Sequence, residues 1–488
     1  MPQDTAAMEV PTSASLDAPP GSPATPPSTP PSLERYRGLI WLVAAAFFMQ
    51  ALDSTIVNTA VPAMAEALGV TPLGMRTALT SYVLTLAIFI PASPWLCDRF
   101  GTRRVFASAI AVFTVGSLLC GIAQTLPQLV AARVLQGLGG SVLMPVGRYV
   151  LVRSIDKRDF VHSMSTVATV GLLGSVLGPL LGGALTQFTS WRLIFLINVP
   201  FGLVGIWLNQ RHMPDYRLER ANRFDLGGFL LFAAASAMLL TAAELASDAG
   251  GQWLQIGVST LLALLIGGVY VWHSRRTPFP VADLSLLRIR NVWVALAGNL
   301  FTRLGVSGMF LLLVLFLQVG CGWSPLMAGL MMVPQALGSI SAKWAINLLL
   351  GRYGYRRLLL GNTIIVALIL ASFALLGKSS PMWLISLMMF IYGSFMGLQY
   401  TAMNTLIYHD LDIKHASMAS SMSSTAQYLS MSFGIALASL LMGALLHGHA
   451  HEDYVVAFRW TVLLLAVATL AASRVFAQLQ PDRPPRSG

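Results

Sequence analysis

Apolar runs of about 20 residues follow one another almost to the end of this chain, and they leave few folds open to it. A helix needs about 20 predominantly apolar residues to cross a bilayer. Inside the bilayer every backbone polar group must find its partner within the protein, so such runs cross as helices. Fourteen runs qualify, near residues 38–60, 77–97, 105–124, 128–152, 162–185, 191–209, 226–243, 254–272, 292–318, 325–349, 357–377, 382–406, 417–446 and 456–476. Only 10% of the 488 residues are charged, against roughly 25% in soluble domains. The expected fold class is an all-α polytopic membrane protein with 14 transmembrane helices.

The net charge of +11 taken alone suggests a nucleic-acid partner. The positions of the charges suggest membrane lipid instead. With the N-terminus placed in the cytoplasm, only Arg76, Arg192, Lys378 and Arg459 fall outside, and only Arg133, Arg148, Arg303 and Lys343 fall within spans. The other 23 of the 31 lysines and arginines are then on the inside, as the positive-inside rule requires. A missed span would invert every later loop, so an even count with both termini cytoplasmic is expected.

The first 34 residues hold nine of the 26 prolines and cannot bury a core, so residues 1–37 are expected to form a disordered tail rather than a signal peptide. Cys97, Cys120 and Cys321 lie in or beside apolar runs without metal-ligand spacing, and an odd count gives no disulfide framework.

Two basic loops repeat. Residues 98–104 read DRFGTRR and residues 351–357 read GRYGYRR. Each joins the second and third spans of a six-span group. The expected organisation is an N-terminal half at 38–209, two extra spans with flanking loops at 210–290, a C-terminal half at 291–476 and a short tail at 477–488. Repeats of this kind build secondary transporters.

With these residues in view the chain resembles the major facilitator superfamily, and more closely its fourteen-span drug:proton antiporter branch. Leu52-Asp53-x-Thr55-Ile56-Val57-Asn58-x-Ala60-x-Pro62 is similar to the branch's first-span motif. Leu96-x-Asp98-Arg99-x-Gly101-x-Arg103 is similar to the loop motif between spans 2 and 3. Leu129-x-x-x-Arg133-x-x-Gln136-Gly137-x-Gly139 is similar to the fourth-span motif. The antiporter motif of span 5 is matched by Gly174-x-x-x-Gly178-Pro179-x-x-Gly182-Gly183. The segment opening span 6 is matched by Trp191-Arg192-x-Ile194-Phe195-x-Ile197-Asn198-x-Pro200. The resemblance runs from about residue 36 to 476. Pro94 and Thr102 depart from the loop motif, where Gly and Arg are usual, and Gly351 stands in the second copy where Asp98 stands in the first.

The resemblance implies two six-helix halves that rock about a central site, driven by the proton gradient and needing no cofactor. For the loop it implies a latch between the halves, formed by Asp98, Arg99, Gly101 and Arg103; the alternative is a topology signal alone. Gly174, Gly178 and Gly182 recur every four residues, on one helix face where another helix can come close, and Pro179 bends the helix. Such a face suits a moving interface or ordinary packing, and only the resemblance ties it to antiport.

Asp53 is the residue that most needs explaining, because a carboxylate inside a membrane normally pairs, protonates or functions. At 1.5 Å per residue, Asp53 and Arg133 both come to roughly 10 Å from the outer surface, and the resembled fold makes their spans adjacent. Desolvation raises such a carboxyl's proton affinity and a neighbouring arginine lowers it. A conformational change that alters either effect would load or release a proton; the alternative is a static pair that specifies packing. Gln50, Asn58 and Gln136, with Arg303 and Lys343, are candidates for a central substrate cavity. Arg303 and Lys343 make that interior cationic and suggest an anionic or zwitterionic cargo.

Two further signals carry less. Leu376-Gly377-Lys378-Ser379 has Ser372 where a phosphate loop needs glycine, and the tract His447-x-His449-x-His451 reads as a solvated outer loop, with no metal expected. The expectation is a proton-coupled multidrug or small-molecule efflux antiporter of the bacterial inner membrane. It is probed against an exporter of an endogenous organic anion and a non-transporting membrane sensor. An enzyme is not expected. A monomer is, working alone or with other efflux components.

Overall fold

The computed structural model describes residues 33–218, 223–247, 252–408, 416–447 and 453–479. Among these residues all regular structure is helical. Fourteen segments are long and apolar enough to cross a membrane: Tyr36–Ala67, Leu73–Phe100, Thr102–Ile122, Leu126–Ser154, His162–Phe188, Leu193–His212, Leu226–Ala246, Trp253–Ser274, Arg290–Gly320, Pro325–Ala342, Trp344–Leu375, Met382–Leu406, Met418–Leu446 and Tyr454–Phe476, here spans 1 to 14. The first helix already begins at Leu33, so the tail expected through residue 37 ends earlier; residues 1–32 lie outside the described residues. His449 and His451 lie outside them as well.

Polar residues at the short turns start several spans. Thr125 accepts from the Gln128 amide at 3.4 Å and Ser324 from the Met327 amide at 3.4 Å, each with proline in the first turn. Asp453 accepts from the Val455 amide at 2.9 Å. These caps satisfy amides that the first helical turn leaves open, and proline there gives up no helical bond.

The two repeated loops turn on the same device. Gly101 has φ +87° and Gly354, its counterpart in the second copy, φ +69°. In the second copy the break lies inside the continuous helix Pro325–Ser372. A side chain would be strained in that left-handed region.

An extensive apolar core joins the halves at one end. At the end carrying the short loops, a single apolar cluster takes Ile56, Val61 and Leu129 from the first half and Leu313, Phe316 and Phe458 from the second. At the end carrying the basic loops there are two clusters. One is built around Leu42, Phe106 and Val150, the other around Val294, Leu359 and Met403. The Gln318 Nε2 donates to the Thr59 carbonyl at 2.9 Å and the Leu326 amide to Gln187 Oε1 at 3.2 Å, so polar contacts also join the halves at the short-loop end.

Span 7 lies along one seam between the halves. Its Phe229 and Leu240 share an apolar cluster with Leu84 and Ile88 of span 2 and Ala436 of span 13. Arg76 donates to the Glu244 carbonyl at 3.2 Å, and Thr80 donates to the Glu244 carboxylate at 2.8 Å. Polar ties thus fasten the outer end of span 7 to span 2.

Candidate functional site

Asp53 and Arg133 meet, as their equal depth implies. The Arg133 Nη1 donates to Asp53 Oδ2 at 2.8 Å, and the pair is sealed, with Asp53 fully buried and Arg133 2% exposed. The other carboxylate oxygen accepts from Gln136 Nε2 at 2.7 Å and Asn198 Nδ2 at 3.2 Å. Gln136 also accepts from Arg133 at 2.7 Å, and both amides donate to Ser117 Oγ, at 3.1 and 3.0 Å. The Arg133 guanidinium lies 4.0 Å from the centre of the Tyr82 ring.

Five spans supply this network, and each contribution has a local cause. Arg133 and Gln136 are three residues apart and so share a helix face. Asn198 opens the second part of span 6, where a short break after Leu196 brings its side chain inward. Charge-assisted hydrogen bonds to Asp53 offset the penalty of burying an anion. Asn198, Ser117 and Tyr82 were not among the residues singled out by sequence. Asn198 stood in a recognisable segment; Ser117 carries no signal that separates it from other small helix residues.

A cavity of about 230 Å³ opens beside the pair. Asn58 and Arg133 line it from the first half and Arg303, Gln335 and Tyr400 from the second. Gln50 and Gln136 do not line it, which corrects their assignment: Gln136 is spent on Asp53, and Gln50 is buried at 2% exposure. Lys343 belongs to the helix of span 10, but its side chain lies outside the described residues. Arg303 is present, and its guanidinium is held by neutral groups. Nε donates to Asn299 Oδ1 at 2.6 Å and Nη2 to Gln427 Oε1 at 3.2 Å, with the Tyr400 ring centre 4.0 Å away.

The basic loop at 98–104 bonds to the stretch that follows span 6. Thr102 donates to the Pro214 carbonyl at 2.8 Å and accepts from the Tyr216 amide at 2.9 Å. The Arg103 amide donates to Asp215 at 3.2 Å and the Leu218 amide to the Asp98 carbonyl at 3.2 Å. A Cβ on Gly101 would run into the Asp215 carboxylate. Asp98 is the acidic member of the latch that the resemblance implies with Arg99, Gly101 and Arg103. Among the described residues its carboxylate makes no ion pair, and Asp215 is the acidic side chain at the loop. Thr102, which departs from the resembled motif, makes the side-chain bonds here.

The span 5 motif has two faces with different partners. Gly174, Gly178 and Gly182 pack on span 1: a Cβ would stand 2.6 Å from the Phe48 carbonyl oxygen at Gly174 and 3.1 Å from Ile56 backbone atoms at Gly178 and Gly182. That contact lies within one half. Gly183 instead faces the other half, where a Cβ would stand 2.9 Å from Leu326 Cα. Pro179 does the same, its backbone abutting Gly329 of span 10. The four-residue spacing therefore fixes span 5 to span 1, and the remaining motif residues form the seam.

With this geometry established, the family described as Major Facilitator Superfamily matches residues 43–435. The chain is 39% identical over 456 residues to "Putative multidrug resistance protein MdtD" of Serratia proteamaculans (strain 568), covering 91% of this chain and 94% of that one. It is 40% identical over 461 residues to the protein of the same description from Cronobacter sakazakii (strain ATCC BAA-894), covering 92% and 96%. Among solved structures it is similar to an auto-inhibited POT family peptide transporter, with a TM-score of 0.65 at 14% identity over 92% of this chain and 99% of that one.

Proposed function

This chain belongs to the major facilitator superfamily, and from that premise we propose that it is a proton-coupled exporter of small organic molecules working by alternating access. The observation that carries the proposal is Asp53, an acidic side chain buried against Arg133, which itself lines the central cavity. A proton that reaches Asp53 leaves Arg133 without its counter-charge. A change at the cavity can therefore alter proton binding, and the reverse, which is what coupling requires.

The relatives' description as putative multidrug resistance proteins supports export, their bacterial sources support an inner-membrane location, and the distribution of lysine and arginine supports both termini inside. The core shared at one end and divided at the other suits halves that exchange which end is closed. One proton moving through about 100 mV supplies about 2.3 kcal/mol, enough for about 50-fold accumulation of a neutral solute.

The test is proton flux in vesicles of purified protein with a pH-sensitive dye trapped inside. Drugs added under an imposed pH gradient are expected to evoke flux in the wild type and none in Asp53→Asn. Flux that survives Asp53→Asn unchanged would make the pair structural and move the coupling site elsewhere.

A further inference from the structure

Arg303 carries a charge that its surroundings do not cancel. No Asp or Glu occurs between residues 291 and 409 or between 413 and 451, so spans 9 to 14 contain no acidic side chain. Neutral acceptors hold the guanidinium instead. Asn299 takes Nε and Gln427 takes Nη2. Gln427 is itself oriented by bonds from its Nε2 to Asn404 Oδ1 at 3.0 Å and Ser423 Oγ at 3.1 Å. Spans 9, 12 and 13 together therefore fix where this charge points. Among the described residues the guanidinium's hydrogen bonds are those from Nε and Nη2, and the fully buried Asn299 leaves its Nδ2 unbonded.

An arginine inside a membrane is costly and ordinarily finds a carboxylate. Arg133 has found one. Among the described residues Arg303 and Arg133 are the only charged side chains lining the cavity, and Asp53 covers Arg133. The cavity wall thus holds one positive charge in a fixed orientation with a donor to spare.

We propose that Arg303 is the docking point for an anionic group of the carboxylate class on the cargo of this cavity. The guanidinium offers a planar, permanently charged set of donors that matches carboxylate geometry. Neutral holders position it without spending its charge. The inference rests on the transporter reading, because only there does the cavity have a cargo.

The test compares three probes on one ring system: 1-naphthoate, 1-naphthylmethylammonium and the zwitterion 1-naphthylalanine. Affinities are measured by titration calorimetry on the purified full chain. The two carboxylate probes are expected to bind, and the ammonium probe to bind about tenfold or more weakly. Arg303→Gln should lower naphthoate affinity by about tenfold or more, and Arg303→Lys by less, since it keeps the charge and loses the planar fork. Circular dichroism verifies that both variants are folded; a misfolded Arg303→Gln leaves the decision to Arg303→Lys. Equal or tighter binding of the ammonium probe, no carboxylate binding at millimolar concentration, or naphthoate affinity unchanged in folded variants would each overturn the assignment.

The same probes in dye-loaded vesicles separate the two readings. Flux evoked by the ammonium probe alone would keep the exporter and remove the anion site. Carboxylate binding with no flux under any gradient, from these probes or from drugs, would keep the site and remove the exporter.

Discussion

Arg133 and Arg303 stand in the wall of one cavity, one from each half, and their surroundings treat them in opposite ways. Arg133 is sealed against a carboxylate. Arg303 is held by two amide oxygens and an aromatic face. The first charge has a counter-charge within hydrogen-bond distance; the second has neutral partners. Two arginines facing one cavity are thus held by different means, one by a carboxylate and one by neutral acceptors.

The sharpest way to break that comparison is to remove each arginine in turn. Arg133→Gln leaves Asp53 buried without its counter-charge and is expected to destabilise by about 3–5 kcal/mol. Arg303→Gln removes no ion pair and should stay within about 1.5 kcal/mol, the worth of a typical hydrogen bond or two. Thermal unfolding of both variants in detergent measures the gap, and equal losses would mean that Arg303 has a counter-charge after all.

Packing provides the next contrast. Gly182→Leu drives a side chain into the span 1 backbone and should destabilise by about 1–3 kcal/mol, as overpacking does. Gly361, where an added Cβ meets nothing within 4 Å, should accept alanine with no loss. The same unfolding measurement tests both, and a tolerant Gly182 would show that spans 1 and 5 can separate.

A smaller effect is expected at the cavity. Asp53→Asn removes the negative charge beside Arg133, so it should weaken the ammonium probe relative to naphthoate by several-fold. Calorimetry on the wild type and the variant reads this ratio, and an unchanged ratio would mean that the pair is screened from the cavity. The smallest effect belongs to the loops. Gly351→Asp restores in the second copy the acid found in the first, at an exposed position with open space around it. It should change stability by no more than about 0.5 kcal/mol, whereas Thr102→Val should lose about 1–3 kcal/mol with its two bonds.

Much of the first half could be read in the sequence, and the reasons are physical. Depth along a helix follows from counting residues, so Asp53 and Arg133 could be matched before any contact was known. A glycine at the same place in two basic loops signals the same backbone turn, and Gly101 and Gly354 share it. Contact across helices is harder. Gln136 and Gln50 are both polar residues in apolar runs, yet neither lines the cavity, because rotation about the helix axis decides what a side chain faces. Asn299 stands four residues before Arg303 on the same span, a neighbour that helix spacing supplies, whereas Tyr400 and Gln427 come from spans 12 and 13 and nothing local marks them as its partners. The four-residue glycine row was legible as a close-packed face, while its partner, span 1 of the same half, was not.

Span 7 has a mechanical consequence. Hydrogen bonds at Arg76 and Thr80 tie it to span 2, whereas Phe229 and Leu240 meet Ala436 of span 13 through apolar surface. Directional bonds resist sliding, and dispersion contacts are individually weak and non-directional. Span 7 is thus fastened by directional bonds to one neighbour and greased against the other, so a single helix carries two kinds of seam.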